Sequence, residues 1–258
     1  MTAIVGYPTP GKDKARVILE AFCEGAKGSV VSRIPAELKP GAAAFYGVTP
    51  ATKHLFDQAL AEKRDVYYID NAYFDKVRGV YYRVTRNRLQ HTGIGESDGK
   101  RFKQLGIAIQ PWRKTGDHIL ICPQSDEFMQ VCARHPGDWI EQTLTRLRGL
   151  TKRDLRLREW SRDKKEAYRT LPAALENCWA LVTYSSAAAI SAMLSGVPAF
   201  CTASDCISKS MTRWDLEQIE KPLYSEQREH WCKVVADQQW TLDEMKSGLC
   251  WKMLKVES

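Results

Sequence analysis

The residues best placed to do chemistry are two adjacent serines, Ser185 and Ser186, between the apolar run Ala180-Leu181-Val182-Thr183 and the small-residue stretch Ala187 to Leu194. That order reads as a buried strand, a hydroxyl-bearing turn and a helix that starts at once. Free backbone N–H groups and the positive end of the helix dipole converge at such a turn. Two hydroxyls add donors, and Ala187-Ala188 leave room for a ligand to approach. This is anion-binding chemistry at the carboxyl end of a strand, where open α/β sheets take their ligands. The same pattern also fits an N-cap serine on a packed core helix. Neither G-x-G-x-x-G nor G-x-x-x-x-G-K-[ST] occurs, which argues against dinucleotide and P-loop nucleotide enzymes.

The elements that must position this turn follow a repeating order of short β-branched run, loop and amphipathic helix. Ala15 to Cys23 places Val17, Ile18, Ala21 and Phe22 on one helical face and stops at Gly25. Val30-Val31 and Ala43 to Tyr46 read as strands. Thr49-Pro50 is an N-cap with proline at the first helical position, opening a helix to Glu62. Val66 to Ile69 is a strand ending at Asp70-Asn71, and Val80 to Val84 is a further extended piece. Beyond Trp112 the alternation restarts with His118 to Cys122, a helix through Ile140, Leu144 and Leu147, a strand over Leu155 to Glu159, the strand Ala180 to Thr183, the helix Ser186 to Leu194 and the strand Val197 to Cys201. The tail is helical, with tryptophans at 214, 231, 240 and 251 for core or interlobe packing and Thr241-x-x-Glu244 as a capping box.

Strands alternating with helices predict parallel sheets covered on both faces. The break around Gly106, Pro111 and Gly116 separates two halves, each too small for a complete doubly wound domain. The expected fold is α/β: two abbreviated Rossmann-like lobes facing across a cleft. Residues 1–110 form the acceptor-side lobe, 111–225 the lobe for an activated donor, and 226–258 are C-terminal helices packing back across both.

At this point residues 180–200 resemble the donor-binding half of GT-B glycosyltransferases. They are similar above all to the capsule-type Kdo transferases and related sialyltransferases, which use paired serines to hold the phosphate of a CMP-sugar. Tyr68 to Phe74, followed by Arg86-Asn87-Arg88 and Gly93-Ile94-Gly95, resembles that group's acidic strand-end motif, where the acid is the catalytic base. Ile121 to Ser125 is a weaker match. The likeness runs over about residues 65–220 and departs from the family twice. Arg156-Leu157-Arg158-Glu159 stands where a His-Pro is expected, and Ile190 or Ser191 replaces a helix glutamate. The resemblance therefore leaves the nucleotide open between UDP and CMP.

Glycosyl transfer needs a base for the attacking hydroxyl and donors or positive charge for the departing phosphate. Asp70, at a strand end, is the base candidate, with an Asx turn at Asn71 as its structural alternative. His91, in a loop with Gly93 and Gly95, is the second. Ser185 and Ser186 would stabilise the leaving group, helped by Arg158 or Lys209. No cofactor beyond the nucleotide-sugar co-substrate is implied, and no D-x-D pattern is present to hold a metal.

Thirty-eight basic against 31 acidic residues leave a net charge of +7 in 258 residues. Arg78 to Lys114 alone carries nine basic residues against two acids, a surplus as large as that of the whole chain. Arg83, Arg86, Arg88, Lys100, Arg101, Lys103 and Arg113, interleaved with Tyr82 and Trp112, are what a polyanionic acceptor requires. Hydroxymethylated DNA fits, its bases extruded onto aromatic platforms. The small size agrees with a minimal phage-type enzyme. An acidic capsule or lipid-linked saccharide is the alternative acceptor. A nucleotide-sugar epimerase and a non-catalytic nucleic-acid-binding module are the other readings.

Apolar residues make up 44% of the chain and charged residues 27%, which excludes a mainly disordered protein. No apolar run is long enough to span a bilayer, so no membrane insertion is expected. The start, Met1 to Gly6, lacks a basic n-region before an apolar core, so a cytoplasmic location is expected. The eight cysteines, at zinc spacing neither with one another nor with a histidine, read as small buried hydrophobes.

Overall fold

The computed structural model describes residues 3–74, 79–131, 137–158 and 170–256. Arg78 and Glu159, named above, and Cys132, one of the eight cysteines, lie outside them. The elements in chain order are β1 (Ile4–Gly6), α1 (Asp13–Gly25), β2 (Ser29–Val30), β3 (Ala42–Tyr46), α2 (Pro50–Ala61), β4 (Val66–Asn71), β5 (Tyr81–Arg86), α3 (Lys100–Gln104), β6 (His118–Cys122), α4 (Asp126–Val131), α5 (Trp139–Leu150), β7 (Asp154–Leu157), β8 (Cys178–Thr183), α6 (Ala188–Leu194), β9 (Ala199–Cys201), α7 (Arg228–Asp237), β10 (Gln239–Thr241), α8 (Leu242–Lys246) and α9 (Leu249–Val256). They form two compact units, one of Met1–Leu89 with Gln238–Ser258, the other of Gln90–Asp237.

The first unit is built on a six-stranded sheet in the order β10-β5-β4-β3-β1-β2. Strands β2, β1, β3 and β4 are parallel, as expected. β5 runs antiparallel to β4, and β10 antiparallel to β5. The connection from Asn71 to Tyr81 is too short for the crossover helix that a parallel partner requires. On one face, Ile18 and Phe22 of α1 pack with Ile69 and Val84. The chain's last segment completes this core with Trp240, Met245, Cys250 and Trp251. Its docking depends on Gly25, where a Cβ would stand 1.9 Å from the Met245 carbonyl oxygen. The capping box is present: Thr241 N donates to Glu244 Oε2 at 2.8 Å and Glu244 N to Thr241 Oγ1 at 3.2 Å.

The second unit carries a four-stranded sheet in the order β7-β6-β8-β9, parallel throughout. Ile119, Ile121, Val182 and Phe200 meet Trp139 and Leu147 of α5 in its core. The strand order reverses between β6 and β8, because β6 leads outward to β7 and β8 leads outward to β9. That is the topological switch point, where such sheets place a ligand.

The division between units falls at Leu89/Gln90 rather than at the expected 110/111. Residues after Gln90 are bound to the second unit by long-range contacts. The Gln90 side chain bridges Ser185 O and Ile207 N, each at 2.9 Å, and α3 packs on α7. The segment 226–258 is likewise shared, α7 belonging to the second unit and β10 to α9 to the first. Of the four tail tryptophans, Trp231 is buried, Trp240 lies in a strand rather than a helix, and Trp214 is 67% exposed. No described helix is long and apolar enough to cross a membrane.

Candidate functional site

The paired-serine turn closes the carboxyl end of β8. Ser185 is buried at 2% exposure and Ser186 half-buried. Two glutamines hold Ser185: Gln90 Nε2 donates to its carbonyl at 2.9 Å, and Gln124 Nε2, at the end of β6, donates to its hydroxyl at 2.9 Å. The helix begins later than the sequence suggests, at Ala188, and its first amides are engaged. Ser186 N donates to Thr183 Oγ1, Ala188 N to Ser186 Oγ, Ala189 N to Ser186 O and Ile190 N to Ala187 O. The open row of N–H donors expected at this terminus is therefore largely spent on the turn itself. The hydroxyl oxygens of Ser185 and Ser186 both accept, so each keeps its own proton to donate.

The other end of α6 explains two basic residues. Arg113 donates from Nε to Ser195 O at 3.2 Å and from Nη1 to Leu175 O at 2.9 Å. Arg228 donates to Met193 O at 2.6 Å and Gln110 O at 2.7 Å. Cations satisfy the orphan carbonyls of a helix C-terminus, with the dipole in their favour. Gly196, at φ +80°, lets this turn close, since a Cβ there would meet Pro111 O at 2.0 Å. Trp112 lies against Arg228, whose guanidinium stands 3.7 Å from its ring centroid, and against Tyr224. Arg113 and Trp112, expected on the acceptor, thus serve the packing of the second unit.

Beside the paired-serine turn a cavity of about 360 Å³ opens between α4 and α5, lined by Pro123 and Gln124 at the end of β6, Met129, and Trp139 with Ile140. Gln124 belongs both to this wall and to the Ser185 hydroxyl. Arg158 follows β7 at the same sheet edge. Its backbone N donates to Ile121 O and its Nη2 to Thr170 Oγ1 at 3.1 Å. Lys209 is exposed, its ammonium 3.2 Å from Ser204 O. Sequence reasoning missed Gln90, which carries no motif, and gave Gln124 no role although it lies within the weaker match Ile121 to Ser125; the part Gln124 plays is found only once β6 and β8 are adjacent.

In the first unit Asp70 is the penultimate residue of β4, and both oxygens of its carboxylate accept hydrogen bonds while the side chain stays partly exposed. Oδ2 accepts from Arg83 Nη2 at 2.7 Å; Oδ1 accepts from the backbone N of Asn71 at 2.7 Å and its side-chain Nδ2 at 3.0 Å. The Asp70 side chain is 28% exposed and that of Arg83 only 8%. Burial alone would disfavour the Arg83 charge, but Asp70 with Tyr73 and Tyr68 pushes its pKa further up. Arg83 also lies 5.0 Å from the Tyr73 ring centroid. His91, the second base candidate, is buried at 6% exposure in the other unit.

The basic run is divided between the two units, and several of its members have partners within the protein. Arg83 is committed to Asp70, Arg86 to Asp65 at 2.9 Å, Lys100 to Asp98 at 2.7 Å, and Arg113 to backbone carbonyls. Hydrogen bonds from Arg86 and Asn87 hold the Asp65 carboxyl below its ordinary range despite partial burial. Tyr82 is 5% exposed and donates to Gly79 O, so its ring is no stacking platform. Arg88 and Lys103 stay exposed and Arg101 half-exposed. No described group of three or more histidines, cysteines or carboxylates converges as a metal site.

No family model matches the chain, and no curated protein matches it in sequence. Solved structures do match in fold. "Thermosulfurimonas dismutans KpsC, beta Kdo 2,7 transferase" superposes with a TM-score of 0.53 over 99% of this chain and 100% of its own, at 10% identity. The beta Kdo 2,4 transferase of KpsC from the same organism gives 0.51 over 92% of this chain and 90% of its own, at 11% identity. The fold is that of a GT-B-like glycosyltransferase. At these identities the likeness shows the architecture alone.

Proposed function

We propose that the chain is a glycosyltransferase that moves a sugar from a nucleotide-sugar donor to a hydroxyl of an acidic acceptor. The observation that carries this reading is the paired-serine turn at the switch point of the second sheet, pinned by Gln90 and Gln124 beside a cavity of about 360 Å³. The whole-length likeness to two Kdo transferases supports it. The donor's base and ribose occupy the cavity, and its phosphate meets the Ser185 and Ser186 hydroxyls with Arg158 alongside. Asp70 takes the proton of the attacking hydroxyl. The new bond forms between that oxygen and the anomeric carbon as the bond from that carbon to the phosphate oxygen breaks, leaving the electron pair on the phosphate. Hydroxyl donors and a guanidinium stabilise that charge as it develops.

A short acidic saccharide suits the acceptor better than duplex DNA, because Arg83, Arg86 and Arg113 of the 78–114 run are committed within the protein, which leaves fewer exposed cations for a long phosphate backbone. The test is incubation with UDP- and CMP-linked sugars and either acidic oligosaccharides or hydroxymethylated DNA, followed by mass spectrometry of the acceptor. A gain of one sugar residue on the oligosaccharide is the expected result. A gain on DNA instead would reassign the acceptor, free-sugar isomerisation would favour an epimerase, and no product with any donor would reject the reading.

A further inference from the structure

We infer that the first unit holds a second oxyanion site, built on the loop between β1 and α1, that takes a phosphoryl group. The inference rests on the glycosyltransferase reading only in identifying this group as part of the acceptor. The loop reads Gly6-Tyr7-Pro8-Thr9-Pro10-Gly11-Lys12-Asp13. It has the strand–G-x-x-x-x-G-K–helix spacing of a phosphate cradle, but Asp13 stands where that motif has the Ser or Thr that holds magnesium. What lies around it is a cavity of about 280 Å³, walled by this loop, by Arg16 of α1 and by Ser32-Arg33 after β2.

Three cations from separate segments therefore line one cavity. Arg16 is partly spent, donating to Val31 O at 3.3 Å and Ser32 O at 3.2 Å and lying 3.6 Å from Glu20, which fixes the far wall. Lys12 and Arg33 are exposed, and no described residue forms an ion pair or hydrogen bond with either side chain. Two prolines hold the loop's φ values, and Gly11 turns at φ +69° with nothing near its Cβ position. The cavity is preformed, and it lies at the carboxyl end of β1, beside the switch point of the first sheet, whose order reverses between β1 and β3. Asp13 lowers the net positive charge and removes the magnesium-binding hydroxyl. The chemistry thus points to a metal-free phosphate ester rather than a nucleoside triphosphate. The volume admits one such group with its sugar or glycerol, not a duplex.

The test is amide NMR of the full chain titrated with inorganic phosphate, with N-acetylneuraminate as a carboxylate probe and glucose as a neutral one. Phosphate is expected to shift the Thr9, Gly11 and Lys12 amides. Lys12→Ala/Arg33→Ala, both exposed and remote from the core, is expected to weaken that response at least tenfold while leaving CMP and UMP shifts near Ser186 unchanged. Phosphate shifts confined to residues 184–188, an undiminished response in the double variant, or shifts with N-acetylneuraminate but not phosphate would each overturn the proposal. Loss of all nucleotide shifts with the Gly11 response intact would instead reject the donor reading and leave this site standing.

Discussion

Arg83 Nη2 lies 2.7 Å from Asp70 Oδ2, across the antiparallel β4–β5 ladder in which the two residues are directly paired. The guanidinium is nearly buried, and the carboxylate keeps one edge toward solvent. A carboxylate held by donors on both oxygens is fixed in orientation. It accepts a proton only from a hydroxyl brought to its open edge.

Asp70→Asn is expected to reduce turnover about 10²–10⁴-fold, the usual range for loss of a general base. Donor affinity should not change, since the donor contacts lie in the other unit. Stability should fall by about 1–3 kcal/mol, because Arg83 loses its counter-charge and keeps only a neutral partner. Steady-state kinetics with urea denaturation measure both; unchanged turnover rejects Asp70 as the base.

Gln90→Leu removes the partners of two buried backbone groups, Ser185 O and Ile207 N. Each group left unsatisfied costs about 1–3 kcal/mol. The variant is expected to melt earlier and to bind nucleotide more weakly, as the paired-serine turn loosens. Calorimetry of unfolding and of nucleotide binding checks this, and a variant with wild-type values on both would detach Gln90 from the site.

Arg228→Lys should destabilise the second unit nearly as much as Arg228→Met. One ammonium cannot reproduce a planar fork that reaches Met193 O and Gln110 O while lying on the Trp112 ring. The expected loss is about 1–3 kcal/mol in urea denaturation. Full rescue by lysine would show that charge alone matters there.

Burial pushes the thiols of Cys23, Cys122 and Cys232 up to about 12 and that of Cys178 up to about 11. These groups are easier to ionise in the unfolded chain. Their contribution to stability is therefore fully present below about pH 9, the ordinary thiol range, and is lost as pH climbs from there toward 11–12. Urea midpoints under reductant are expected to hold from pH 7 to 8.5 and fall above 9. A midpoint flat to pH 10.5 would contradict the burial.

The strands with long apolar runs were legible, as were the α2 cap and the Thr241–Glu244 capping box, because each is signalled by neighbouring residues. Two of the three-residue strands, β1 and β10, were not. β1 is only Ile4-Val5-Gly6, and β10 becomes a strand because β5 offers it an open edge. The unit boundary was missed for a similar reason: it is set by Gln90's bonds to residues 95 and 117 positions away. At the site, the serine turn and Asp70 could be read from the sequence. The partners that ligate them could not, since Arg83 looks like one more member of a basic run until its strand is paired. The loop from Gly6 to Lys12 carried a readable glycine–lysine spacing, obscured by its two prolines and by Asp13.

The most direct measurement of the central claim is a crystal structure of the chain with CMP or UMP bound. The account expects the phosphate within hydrogen-bonding reach of the Ser185 and Ser186 hydroxyls, with the base in the cavity lined by Gln124 and Trp139. Nucleotide bound elsewhere, with that cavity empty, would contradict it.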